Sequence, residues 1–219
     1  MVQVSIIRSD VHPIGARRDG RDVSICGLCV HRTVHAGTCY VGTEWMLTLW
    51  RELEAGRYPD MSPGDLASYT YGRPVRVGSY GDPLALPIEV VRDMVKGARR
   101  WTGYTHDWRE AIAAPPAWRS LLMASVETHE QRAEARADGW RTFRIRAAGE
   151  MLAAGEVACP HRSRGVQCDR CGLCDGKRGD GDRRADIVEY GHGMRGATVY
   201  GTRAFTIKPR MIAADTPSE

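Results

Sequence analysis

From Val75 to Ile145, short apolar runs alternate with stretches whose apolar residues recur at the helical period. Val75-Arg76-Val77-Gly78 reads as a strand leading into the turn Tyr80-Gly81-Asp82-Pro83, and from Pro87 onward Ile88, Val91, Met94 and Val95 fall on one helical face. Thr102 to His106 predicts a second strand, followed by a short helical piece ended by Pro115-Pro116. Leu121 to Val126 predicts a third, followed by a helix capped by Thr128 with Gln131 and stopped by Gly139. Thr142-Phe143-Arg144-Ile145 is a fourth strand. Strands and helices in this alternation predict an α/β fold, either an incomplete (β/α) barrel or a parallel sheet.

The flanks are less regular. Met46, Leu49, Trp50 and Leu53 mark a helix over Thr43 to Ala55, with Thr43 as its cap and Gly56 as its stop, and its apolar stripe reads as ordinary core. Tyr58 to Gly72, with Pro59, Pro63 and Gly64, reads as a connection. Residues 1–25 show little periodicity and contain the charged run Gly15 to Asp22, so no core is expected there. Asp175 to Arg184 is Gly-rich and charged and reads as a flexible, solvated loop. Ile187 to Tyr190 is a further strand, ending in Gly191-His192-Gly193, and Ala213 to Glu219 reads as a disordered tail. The chain is expected to be one domain over 1–219, with an N-terminal cysteine segment at 26–42, an α/β core at 73–157 and a four-cysteine segment at 158–193.

Composition narrows the class. With 219 residues, 42% hydrophobic and 26% charged, the chain can bury one core, and no segment approaches the ~20 apolar residues of a membrane span. Met1 to Arg8 holds too short an apolar run for a signal peptide, which predicts a cytoplasmic protein, or a host-cytoplasmic one if phage-encoded, with reduced thiols. The net charge of +4 is mild, and only Lys96, Lys177 and Lys208 are lysines. Charge alone therefore does not establish a nucleic-acid partner.

The seven cysteines carry the strongest signal. Cys168, Cys171 and Cys174 stand at successive two-residue gaps with Cys159 as a fourth, nearer the ferredoxin-type iron-sulfur arrangement than two separated zinc knuckles, though zinc remains open. Disulfides or small buried thiols are the plainer alternative. Cys26 and Cys29 form a knuckle followed by Cys39, with His31 and His35 between. Three thiolates can hold a four-iron cluster with one iron open, or complete a zinc site with His31 or His35; equally, Cys39 can be incidental to the knuckle.

In parallel α/β folds the residues just past the strand C-termini line the site. Here these are Asp82, His106, Glu127 and Arg146, one from each of four successive strands. Asp82 can act as base or ligand and His106 as acid, base or ligand; Glu127 and Arg146 can bind a cofactor, and Arg146 can hold an anionic group. Against this, Asp82 before Pro83 can simply shape a turn, His106 can be structural, and Glu127 and Arg146 can be solvated. Asp82 and His106, following consecutive strands, are expected to share a pocket, and their replacement by alanine to leave stability nearly unchanged.

Cys39-Tyr40, Gly81-Asp82-Pro83, the Gly-Tyr-Thr-His run ending at His106, Cys159-Pro160, Cys171-Gly172-Leu173-Cys174 and Gly191-His192-Gly193 together resemble a family of uncharacterised phage and bacterial proteins. The resemblance spans roughly residues 26 to 193. The N-terminal cysteines and strand-helix order are in turn similar to radical-SAM enzymes, which implies Cys26, Cys29 and Cys39 at a cluster whose open iron binds S-adenosylmethionine, with the other four cysteines at an auxiliary site. A phage context implies nucleotide or nucleic-acid modification. Two classes follow: a small iron-sulfur barrel enzyme working through Asp82 and His106, or a zinc-stabilised module that contacts nucleic-acid phosphates through arginines. A barrel enzyme with structural zinc lies between them.

Overall fold

A computed structural model of the chain describes residues 1–110, 116–147 and 149–191, without the side chains of 43 and 44. Its frame is a seven-stranded, open, all-parallel sheet, and the protein is therefore α/β. The first half comprises β1 (Val2–Ser5), α1 (Pro13–Asp19), α2 (Val23–Cys26), α3 (Thr43–Glu54), α4 (Pro63–Thr70), β2 (Pro74–Tyr80), α5 (Ile88–Lys96) and β3 (Arg100–Thr105). It continues through α6 (Ala117–Leu121), β4 (Met123–Val126), α7 (His129–Ala137), β5 (Thr142–Arg146), β6 (Glu156–Ala158), α8 (Pro160–Arg164), α9 (Cys168–Cys171) and β7 (Asp186–Tyr190).

The strand order is β1-β2-β3-β4-β5-β7-β6. From β1 to β5 the crossovers all step the same way, which for right-handed connections keeps their helices on one face, whereas the β6-to-β7 connection steps back and so falls on the other. The packing follows this rule: Val75, Val77, Ala124 and Val126 meet Val91, Met94 and Val95 of α5, Trp118 and Leu121 of α6, and Ala135 of α7 in one buried cluster. Alternate strand residues point the other way. Met123 and Ile187 on that opposite face are buried with Cys174, against Tyr104, Phe143 and Cys159, and α9 packs on β2 and β3. The four-cysteine segment thus covers the face that the helices leave.

Each strand expected from periodicity is present, although Leu121 and Leu122, expected in the third, end α6 and β4 begins only at Met123, and Thr128 caps α7 by accepting the Gln131 N–H. Other expectations change. Residues 1–25 contain β1, paired with β2, and two short helices that contribute buried Ile25; with Ile6, Met46 and Tyr80 it forms a second core. A four-residue strand and helices of seven and four residues are too short to show a period, which is why the sequence looked patternless. The Tyr58–Gly72 connection holds α4, started by a capping box between Ser62 and Asp65 with Pro63 in the first turn. Gly42, not Thr43, is the N-cap of α3. The helical piece expected before Pro115-Pro116 falls partly outside the described residues, and α6 begins after Pro116 instead. His192, Gly193 and the tail also lie outside them.

The 175–184 loop is not free in solvent. Asp175, 3% exposed, receives Arg178 at 2.6 Å and also meets Arg184 and Arg141, while Arg184 donates to Asp182 at 2.6 Å. No described helix is long and apolar enough to cross a membrane.

Candidate functional site

The N-terminal cysteine segment is clamped onto the C-terminal ends of β2 and β3. The Asp82 N–H donates to the Ile25 carbonyl at 2.6 Å, and the Leu28 N–H donates to Asp107 Oδ1 at 2.8 Å. Gly27 makes the second contact feasible: at φ +51° its backbone is left-handed, and a Cβ there would lie 1.4 Å from Asp107 Oδ2. Buried Arg32 ties the loop from behind, donating to Asp22 Oδ1 at 2.6 Å, the Gly20 carbonyl at 2.6 Å and the Gly27 carbonyl at 3.2 Å. Knuckle and strand ends are one structural unit.

Asp82 and His106 do meet, but through the backbone. Asp82 Oδ2 accepts the His106 N–H at 2.8 Å and Oδ1 accepts the Leu84 N–H at 3.0 Å. Burial pushes the Asp82 carboxyl up to about 6, against the opposing pull of these N–H groups. The two side chains line different cavities. Asp82 borders one of about 360 Å³ with Val23, Ser24, Leu84 and Trp118, whereas His106 borders one of about 120 Å³ with Leu28, Val30, Ser125 and Glu127; Asp107 and Glu110 border both.

Beyond β3 and β4, His31 from the knuckle loop joins His106 and Glu127. Glu127 Oε1 lies 3.3 Å from His31 Nε2 and 4.0 Å from His106 Nε2, and the imidazoles meet edge to face with centroids 5.1 Å apart. One nitrogen of each ring and one carboxylate oxygen all fall within 4.8 Å of one another. His31 Nδ1 is held by Thr38 Oγ1 at 2.6 Å, and the Glu127 N–H by Gln131 Oε1 at 2.9 Å. Burial pushes the His106 imidazole down to about 4, helped by His31 and opposed by Glu127.

All seven cysteines are free thiols. The Cys29 N–H donates to the Cys26 carbonyl at 3.2 Å and the Cys39 N–H to the His31 carbonyl at 2.9 Å, which folds the three around one loop. Burial pushes Cys26 up to about 12, with Asp22 and Cys39 adding to the rise; burial likewise raises Cys29. On the sheet face opposite the main helix-packed core, burial takes Cys174 up to about 12, opposed by a hydrogen bond with Tyr104 and reinforced by Cys159, Cys168 and Cys171. Cys159 rises to about 11 for the same first reason. No three sulfurs lie within 4.8 Å of one another. A tetrahedral zinc with ~2.3 Å bonds needs sulfurs about 3.8 Å apart.

Arg146 is engaged structurally, donating to Tyr190 Oη at 2.6 Å and to the Glu150 carbonyl, with its guanidinium 4.1 Å above the Tyr190 ring. Glu127 stands among imidazoles rather than at a separate cofactor contact. The sequence reading passed over Asp107 and Thr38. Asp107 was legible as a second polar residue at the same strand end as His106; Thr38 carries no signal of its own. No family model, curated protein or solved structure matches the chain.

Proposed function

We propose that this chain is an iron-sulfur enzyme of the (β/α)-barrel type, radical-SAM-like, with its working site at the C-terminal edge of the sheet. One observation carries the reading: the Cys26-Gly27-Leu28-Cys29 knuckle is fixed to Asp107 through Leu28, and Ile25 just before it to Asp82, at the edge where parallel α/β proteins act. The thiols suit a cluster. They are unpaired, and burial together with mutual repulsion makes Cys26 and Cys29 poor thiolates on their own, a cost that a bound cation removes.

Cys26, Cys29 and Cys39 would hold the cluster, and Cys159, Cys168, Cys171 and Cys174 an auxiliary one on the sheet face opposite the main helix-packed core. A four-iron cluster on three thiolates supplies electrons and one open iron to a cofactor such as S-adenosylmethionine. Asp82 sets the backbone position of His106, which borders the adjacent cavity. Nucleotides or nucleic acid are the proposed substrate class, on the strength of the phage-family resemblance.

Anaerobic purification tests the reading. A brown protein with about four irons and matching sulfide per site is expected, losing one site's share in Cys26→Ser, Cys29→Ser or Cys39→Ser. A colourless chain carrying zinc would leave the zinc-stabilised alternative in its place.

A further inference from the structure

We infer that His31, His106 and Glu127 form a mononuclear site for a divalent Fe(II)- or Mn(II)-type ion, separate from any cysteine-held metal. Two imidazoles and one carboxylate are the ligand set of sites that keep open positions for exchangeable ligands. The inference does not rest on the cluster, since none of its ligands is a cysteine.

Three observations carry it. First, the donor atoms already gather: all lie within 4.8 Å of one another, whereas adjacent ligands at ~2.1 Å from an octahedral ion sit about 3.0 Å apart, a difference that side-chain rotations have to close. Second, Glu127 Oε1 is buried and takes no hydrogen bond, although its side chain is only 5% exposed. A carboxylate oxygen so placed costs free energy until a cation or donor meets it. A proton on His31 would pair one imidazole with Glu127 and leave His106 Nε2, 4.0 Å away, beyond hydrogen-bond reach; a divalent ion satisfies all three groups together. Third, the outer contacts are those of ligands. Thr38 Oγ1 at 2.6 Å from His31 Nδ1 fixes that ring with Nε2 towards Glu127, and Gln131 fixes the backbone of Glu127 at 2.9 Å.

The surroundings set what else could bind. The cavity bordered by His106 and Glu127 has about 120 Å³ and is walled by Leu28, Val30 and Trp108. That is well below the ~300 Å³ of ordinary small-molecule pockets. It accommodates water or a ligand of a few heavy atoms on the ion, and a larger substrate would have to remain outside it.

Manganese is the probe, because a hard ion avoids the thiol sites. The full chain, purified anaerobically with its native metals and washed free of loose ones, is titrated with Mn²⁺ while the free-ion paramagnetic resonance signal is followed. One Mn²⁺ per chain is expected, with pulsed spectra showing two imidazole nitrogens on the bound ion. Glu127→Gln, close in shape, should weaken binding at least 100-fold, and His106→Ala should remove one nitrogen coupling. Iron and sulfide content should not change in either variant, which separates this site from the cysteine reading. Absence of stoichiometric binding, bound Mn²⁺ lacking imidazole nitrogens, or undiminished affinity in Glu127→Gln would each overturn the inference. The nitrogen count on the unaltered chain stands even if a variant misfolds.

Discussion

The carboxylate of Asp82 accepts the backbone N–H of His106 at 2.8 Å, so the end of β2 determines where β3 passes into its loop. The same side chain accepts the Leu84 N–H, and the Asp82 backbone N–H reaches back to the carbonyl of Ile25, just before the cysteine knuckle. Asp82 is a joint between three segments. It is 5% exposed, which changes what its removal should do.

Asp82→Ala should destabilise the fold by roughly 2–4 kcal/mol, because two buried N–H groups lose their acceptor. Asp82→Asn should cost less, since one amide oxygen still serves one N–H and no buried charge remains. Urea unfolding of the three chains measures this. An alanine variant as stable as the parent would return Asp82 to the role of a freely replaceable loop-end residue.

Gly27→Ala should release the knuckle. Its left-handed φ and the 1.4 Å approach to Asp107 leave a methyl group no room, so either Asp107 swings away or the loop lifts. A loss of about 2 kcal/mol or more is expected, with hydrogen exchange at the Leu28 amide rising well beyond that in β3. Gly56→Ala, at φ +67° with nothing within 4 Å of the added methyl, gives the cost of a positive φ without a clash for comparison.

How much of this could be read beforehand depends on length and on distance along the chain. The strands around Val75, Thr102, Ala124 and Phe143 and the helix bearing Ile88, Val91 and Met94 are local patterns with enough residues to declare a period, and they were legible. Asp82, His106 and Glu127 were legible as strand-end residues because parallel topology fixes where they emerge. Their partners were not. His31 reaches Glu127 across 96 positions of sequence, and Leu28 reaches Asp107 across 79, contacts that only the docked knuckle creates. The 175–184 loop misled for a related reason: its charges look solvated in sequence but neutralise one another in space.

That loop gives a pH prediction. Hydrogen bonds from Arg184, and from the Arg178 N–H at 2.8 Å, hold the Asp182 carboxyl well below the usual carboxylate range. A depressed folded-state value means the unfolded chain takes up the proton first. Asp182 therefore stabilises the fold fully above ~pH 4, and this contribution is lost as pH falls below that towards the folded value. Asp182→Asn should be less stable than the parent at neutral pH, by roughly 1–2 kcal/mol, and the gap should narrow on acidification. Thermal unfolding between neutral pH and ~pH 3 measures the gap; one that stays constant would place the loop's stability in its backbone contacts instead.

The last prediction concerns Arg144, which is fully buried on β5 and donates to Glu156 at 2.7 and 2.9 Å and also to Glu150. Burial opposes the charge on Glu156, yet Arg144, the Ala153 N–H and Arg132 together hold the carboxyl below its ordinary value. The pair joins β5 to β6 across the intervening β7, so it ties the outermost strand to the sheet interior. Arg144→Met should then cost about 3–5 kcal/mol, because Glu156 is left charged and buried with the Ala153 N–H at 2.8 Å and Arg132 at 3.4 Å as its remaining partners. Pairing it with Glu156→Gln or Glu156→Leu should recover much of that loss, since desolvating no charge is cheaper than desolvating one unpaired. A double-mutant cycle measured by denaturant unfolding gives the coupling directly. Additive losses would show that the two side chains contribute separately, through packing and not through their pairing.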